Sequence, residues 1–135
     1  MQTFLPYSNF KQSAQSLDRQ RLGKQRVEVY QLLKAICSDG GWKNHPCTKM
    51  WSQHTNALVE YGIDVCDEWI SRGYKDTTKE KIASFYNPNL TNDYPLFIGK
   101  EDFHIRHRSM LIQKKPEYYK DQFPNTPEGL EYIWG

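Results

Sequence analysis

The sequence predicts an all-α fold, a single compact helical domain over residues 1–135. Three observations lead there. Apolar residues recur at helical spacing in several windows, as with Leu22, Val29, Leu33 and Ile36. Clusters of Pro, Gly and Asn, such as Asn87-Pro88-Asn89 and Asp93-Tyr94-Pro95, cut the chain into pieces of helix length. No stretch alternates apolar and polar residues well enough to read as a strand. With 135 residues, 38% of them hydrophobic, the chain has material for one core and too little for two.

Taken in order, Asn9 is placed to cap a short turn and Asp18 to cap a longer helix that runs to about Cys37. Ser38-Asp39-Gly40-Gly41 stops that helix. A second helix begins at His45-Pro46, with Pro in the first turn where its missing N–H costs nothing, and carries the stripe Cys47, Met50, Trp51, His54, Leu58 and Tyr61. Gly62 is expected to end that helix or bend it into the next, where Val65, Cys66, Trp69 and Ile70 continue the pattern up to Gly73. Thr77 and Glu80 read as a capping box for a short helix ending near Tyr86. Residues 87–99 read as a loop, Lys100 to about Lys114 as a further helix, and the aromatic tail from Pro116 as a segment wrapped back over the helices.

Composition excludes several classes. No run approaches the roughly 18 apolar residues a membrane span needs, and the first residues lack the pattern of a secretory signal, so a cytoplasmic protein without a membrane partner is expected. Cys37, Cys47 and Cys66 are odd in number and form no CxxC pair, which argues for reduced thiols. The histidines, His45, His54, His104 and His107, have no neighbouring cysteines or paired carboxylates at metal-ligand spacing, so no metal and no cofactor are expected. The net charge of +2 is too small for nucleic-acid binding by bulk charge, so any such binding needs a local basic face. Nothing points to an obligate protein partner.

The richest local signal is the segment Leu17 to Glu28, LDRQRLGKQRVE. At about 100° per residue, Arg26 projects from the face made by Leu22, Val29 and Leu33, so it is expected to be buried and paired. Arg21 and Glu28 share one flank of the helix roughly 10 Å apart. That flank can line a pocket, or Arg21, Lys24 and Glu28 can form an ordinary solvated face. Gly23 costs about 1 kcal/mol relative to Ala inside a helix, which points to a close approach by another backbone or a ligand. In the second basic cluster, His104-Ile105-Arg106-His107-Arg108-Ser109, His104, His107 and Arg108 share a face. Arg106 and Arg108 with the two histidines suit phosphate or carboxylate, or alternatively a surface Arg–Asp network. His45 at a helix start, followed by Lys49, is a further candidate anion site, or simply a cap. His54 on its apolar stripe reads as a core histidine, and Trp51 and Trp69 as core. Trp42, in a loop, is the tryptophan best placed to stack on a base.

With these segments read, the chain resembles the pyrimidine-dimer DNA glycosylase family, the small all-α enzymes of the phage endonuclease V type. The resemblance is carried by the helix QRLGKQRVEV, by Arg72 to Thr78 (RGYKDTT), and by the late stretch from DYP to KKPEYYK. Closer still, MQTFLPYSNF, GWKNHPCTKMW, CDEWISRGY and FHIRHRS look like a bacterial and phage branch attached to that family. The resemblance implies a glycosylase with associated lyase activity on damaged DNA. Its nucleophile is the α-amine at the start of the chain, here Met1, and its catalytic carboxylate falls on Glu28. An α-amine titrates below a lysine, so part of it is neutral near pH 7 and can form an imine with an opened sugar. The chain departs from the family pattern at its start, Met1-Gln2-Thr3, where family enzymes expose a threonine. Either the amine of Met1 acts from one residue further out, or Thr3 takes the family position.

Three functions therefore stand as expectations. One is a DNA glycosylase and AP lyase on a damaged or modified base such as a pyrimidine dimer. Another is a non-catalytic, sequestering pocket for a nucleotide or cyclic nucleotide built from Arg21, Arg26, His45, Arg106 and Arg108. The last is an enzyme that cleaves glycosidic bonds in free nucleotides.

Overall fold

The structure, a computed structural model, describes residues 1–38 and 41–135. Among them are seven helices: α1 (Phe10–Ser16), α2 (Arg19–Cys37), α3 (Pro46–Trp51), α4 (Thr55–Ser71), α5 (Lys79–Ala83), α6 (Glu101–Lys114) and α7 (Pro116–Gln122). Asp39 and Gly40, the middle of the expected stop after α2, lie outside the described residues. The chain is all-α, and no described helix is long and apolar enough to cross a membrane.

The caps of the first two helices follow the sequence. Asn9 accepts the N–H of Gln12 at 2.9 Å to start α1, and Asp18 accepts that of Arg21 at 3.5 Å to start α2. Asp18 is also tied to α7, because its own N–H donates to the Tyr119 hydroxyl at 2.8 Å while that hydroxyl donates back to its carboxylate. Burial alone would push the Asp18 carboxyl up, but the Tyr119 hydroxyl and the side chain and N–H of Arg21 outweigh it and hold it below the usual range. From this cap α2 runs past Leu22, Val29, Leu32 and Leu33, all fully buried, and packs chiefly on α4.

Four expectations change. The helix begun at His45-Pro46 stops at Trp51, and a tight turn intervenes before α4: the N–H and hydroxyl of Ser52 both donate to Lys49 O, and His54 N–H donates to Trp51 O. The apolar stripe continues across this break because Trp51, Leu58 and Tyr61 all reach one core, which is why the sequence reads as unbroken. Gly62 does not end a helix but sits inside α4, where a Cβ would lie 2.7 Å from Val29 Cγ1 and 3.0 Å from Ile82 Cγ2. The Thr77–Glu80 box does not form. Instead Asp76 accepts the Lys79 N–H at 2.8 Å and takes over the capping role. Finally, the tail first makes α7, with Pro116 in its first turn, before residues 124–135 return over the molecule.

Gly73 closes α4 as expected, at φ +94° just after the cap residue Arg72. The close approach at Gly23 is made neither by another backbone nor by a ligand but by a side chain, the Trp69 ring, whose edge would stand 2.9 Å from an added Cβ. The core then closes around the extended first residues: Thr3, Phe4 and Leu5 are buried among the helices although they belong to none.

Candidate active site

The first residues of the chain are fixed by partners from three sides. Gln25 of α2, only 1% exposed, brackets them with its amide: Nε2 donates to Gln2 O and Oε1 accepts the Phe4 N–H, both at 2.8 Å. Tyr61 of α4 places its hydroxyl 2.7 Å from both Phe4 O and Gln25 Oε1. From α6, His104 Nδ1 donates to Leu5 O at 2.8 Å and His107 Nδ1 accepts the Leu5 N–H at 3.0 Å, so the two histidines hold both polar groups of one residue. Arg108 donates to Pro6 O at 2.8 Å and the Tyr132 hydroxyl to Thr3 O at 3.3 Å.

His107 must be neutral to do this. Its Nδ1 is an acceptor, so the proton sits on Nε2 and faces Ile133 O at 3.3 Å. Burial pushes the imidazole down to about 3, against a smaller opposite pull from that carbonyl. His104 is also pushed below the usual range by burial, and its Nε2 accepts the Gly99 N–H at 2.9 Å. Both rings are thereby committed to internal bonds.

This scaffold delivers the chain start to Glu28. The Gln2 N–H donates to Glu28 Oε2 at 2.9 Å, and Lys24 Nζ lies 3.8 Å from the other carboxylate oxygen. A cleft of about 160 Å³ opens here, lined by Gln2, Phe4, Arg21, Lys24, Glu28 and Lys114 among others. The flank shared by Arg21 and Glu28 is thus a pocket wall, with Lys114 of α6 as its opposite rim. A larger groove of about 420 Å³ near Met50, His54, Leu96 and Phe97 is mostly apolar, with Lys100 and Asp102 as the charged side chains among its described lining residues. The smaller cleft is the one with a carboxylate facing several cations, which is the arrangement chemistry requires.

His45 stands close enough to this centre for the charges of Met1 and Glu28 to act on it. Partial burial and then the Met1 α-ammonium push its imidazole down, while Glu28 pulls the other way. It caps α3 by accepting the Cys47 N–H at 3.0 Å, and its ring meets Trp42 and Trp134 edge-on at 5.8 and 5.5 Å. Trp42 is 50% exposed. Arg21, Lys24 and Glu28 thus line one cleft, and Trp42 packs against His45 beside it. Thr3 does not present itself there: fully buried, it accepts the Trp51 Nε1–H at 3.1 Å and faces Cys47.

The remaining candidates point elsewhere. Arg26 pairs with the buried carboxylate of Asp76 and lies 4.4 Å over the Trp69 ring, as its position on the apolar face demanded. Arg106 pairs with Asp102 at 3.2 Å and Arg108 with Glu101, the surface network that was the plainer alternative. Lys49 is exposed in the last turn of α3. Sequence reasoning missed Gln2, Gln25 and Lys114. A signal existed for Gln25 alone, an uncharged polar residue at core spacing from Leu22 and Val29.

Fold and site together define an all-α protein with a polar, carboxylate-bearing cleft at the start of its chain. Residues 1–82 match the family model described as pyrimidine dimer DNA glycosylase, a stretch that takes in the first residues, α1 to α4 and nearly all of α5. The chain belongs to the pyrimidine dimer DNA glycosylase family. No curated protein and no solved structure matches it.

Proposed function

We propose that the protein is a DNA glycosylase with AP lyase activity that excises a damaged or modified base, such as a pyrimidine dimer, from duplex DNA. The observation that carries this reading is the Gln2 N–H held on Glu28 at 2.9 Å, because it fixes a chain start beside a carboxylate in a member of this family. In the proposed reaction the lone pair of the Met1 amine attacks C1′ of the damaged nucleotide and the glycosidic bond breaks, its electrons leaving with the base. Glu28 stabilises the cationic sugar. The C1′–O4′ bond then opens, O4′ taking the proton the amine gives up, to leave the imine, and Glu28 removes a C2′ proton so that the C3′–O bond breaks and the 3′ phosphate leaves. Arg21, Lys24 and Lys114 hold phosphates, and Trp42 stacks on a base displaced from the helix.

Borohydride tests the reading directly, since it reduces an imine to a stable bond. Incubation with duplexes carrying a cyclobutane dimer or an abasic site is expected to yield a covalent complex mapped to Met1. No complex on either substrate would set this function aside. A second reading, a sequestering pocket for a nucleotide, is favoured by the net charge of only +2 and by a cleft of about 160 Å³. It predicts a ligand that is recovered unchanged after denaturation.

A further inference from the structure

The geometry points to Gln25 as the positioning residue of the site: its buried amide sets the register of residues 2–4 that brings the chain start onto Glu28. This inference rests on the proposed glycosylase reading for its chemistry, although its structural content can be tested without it.

The argument begins with donor and acceptor chemistry. A peptide segment outside any helix or strand needs partners for its N–H and C=O groups when buried. Gln25 supplies one donor and one acceptor on a single rigid plane, which matches the Gln2 O and Phe4 N–H two residues apart. A slide by one residue would present Thr3 to that amide and break both bonds. The direction of the Gln25 amide is itself fixed, because only Oε1 can accept the Phe4 N–H and only Nε2 can donate to Gln2 O. Gln25 and Glu28 lie three residues apart on α2, so they are neighbours on its surface. The same helix therefore sets the register and carries the carboxylate that the register serves. Gln25 lines the cleft, but its amide bonds go to Gln2 O and the Phe4 N–H and not to Glu28 or the cleft's cations, so it acts on the site by placing Gln2.

Two variants separate register from mere stability. Gln25→Leu removes both bonds. Gln25→Glu keeps the acceptor for Phe4 but offers no donor to Gln2 O until it is protonated. A displacement of the reacting groups by roughly 1 Å costs on the order of 100-fold in rate. Single-turnover borohydride trapping on an abasic duplex is therefore expected to slow by about that factor in Gln25→Leu, with duplex Kd unchanged. Gln25→Glu is expected to be similarly slow near neutral pH and to recover toward the unsubstituted rate as the pH is lowered, a rescue that loss of packing would not produce. Amide hydrogen exchange at Gln2, whose N–H Gln25 does not touch, is expected to accelerate in both variants. Unchanged trapping in a folded variant would overturn the inference and leave the glycosylase reading standing. Should the unsubstituted protein trap nothing, the glycosylase reading falls and Gln2 exchange decides alone: acceleration supports the register role, and unchanged exchange overturns it.

Discussion

The carboxylate of Glu28 and the peptide N–H of Gln2 meet at 2.9 Å across 26 positions of sequence. A neutral amide at position 28 can still accept that N–H, so Glu28→Gln is expected to cost no more than about 1 kcal/mol in stability. It cannot take a proton from a sugar, and base release should fall by at least about 100-fold. Measuring turnover and chemical denaturation on the same preparation checks both halves. Retained turnover would remove Glu28 from the mechanism.

His107 carries a prediction about acid. Its imidazole is pushed from the ordinary 6.5 to about 3 in the folded protein. Between those values the unfolded chain binds a proton that the folded one refuses. Stability is therefore fully present above about 6.5 and is lost as pH falls toward 3, by up to about 1.4 kcal/mol per pH unit for this one group. Asp18 and Asp76, both held below the usual carboxylate range, add losses of the same sign at lower pH. His107→Asn cannot be protonated, so it should be less stable near neutral pH but fall less steeply on acidification. Thermal melts across about pH 4 to 7 read this slope.

Arg26 and Asp76 test whether a basic residue of α2 is structural. Their pair is almost fully enclosed, with the Asp76 side chain 1% exposed, and Asp76 also caps α5. Removing one partner strands the other, so Arg26→Leu should cost about 3 kcal/mol. Once allowance is made for folding, its affinity for duplex DNA should equal that of the unsubstituted chain. A selective loss of affinity would place Arg26 on phosphate instead.

Gly62 offers a packing prediction with an unusual sign. Alanine normally stabilises a helix interior by about 1 kcal/mol over glycine. Here its methyl would stand 2.7 Å from Val29 Cγ1 of α2 and 3.0 Å from Ile82 Cγ2 of α5 and push α4 away from both, an overpacking cost of about 1–3 kcal/mol. Gly62→Ala should therefore lower the denaturation midpoint, and a rise would show that the contact yields.

The cleft's cations predict salt dependence. If Arg21, Lys24 and Lys114 each neutralise a phosphate, log K should fall against log salt with a slope of about −3. Lys114→Ala should reduce that slope by about 1 unit. A flat dependence would favour the nucleotide pocket.

What the sequence made legible follows from range. Asn9, Asp18 and Gly73 act within a few residues of themselves, and all three caps were readable. Arg26 was readable as paired because its own helix leaves it no exposed position. The break at Ser52–His54 was not, because the apolar stripe serves the core on both sides of it. Thr77–Glu80 misled because Asp76, one residue earlier, is already fixed by Arg26 and offers the better acceptor. At the site, Arg21 and Glu28 were visible as one flank of α2. Lys114, Gln2 and the bonds of His104 and His107 depend on which segment lies across that flank, and no local pattern encodes it.

The threading of residues 2–6 has a consequence for biosynthesis. Part of what holds that segment, His104, His107, Arg108 and Tyr132, is translated about a hundred positions later or more. At roughly 5–20 residues per second, the beginning of the nascent chain waits on the order of ten seconds before its seat exists. The segment is thus among the first translated and the last to be enclosed.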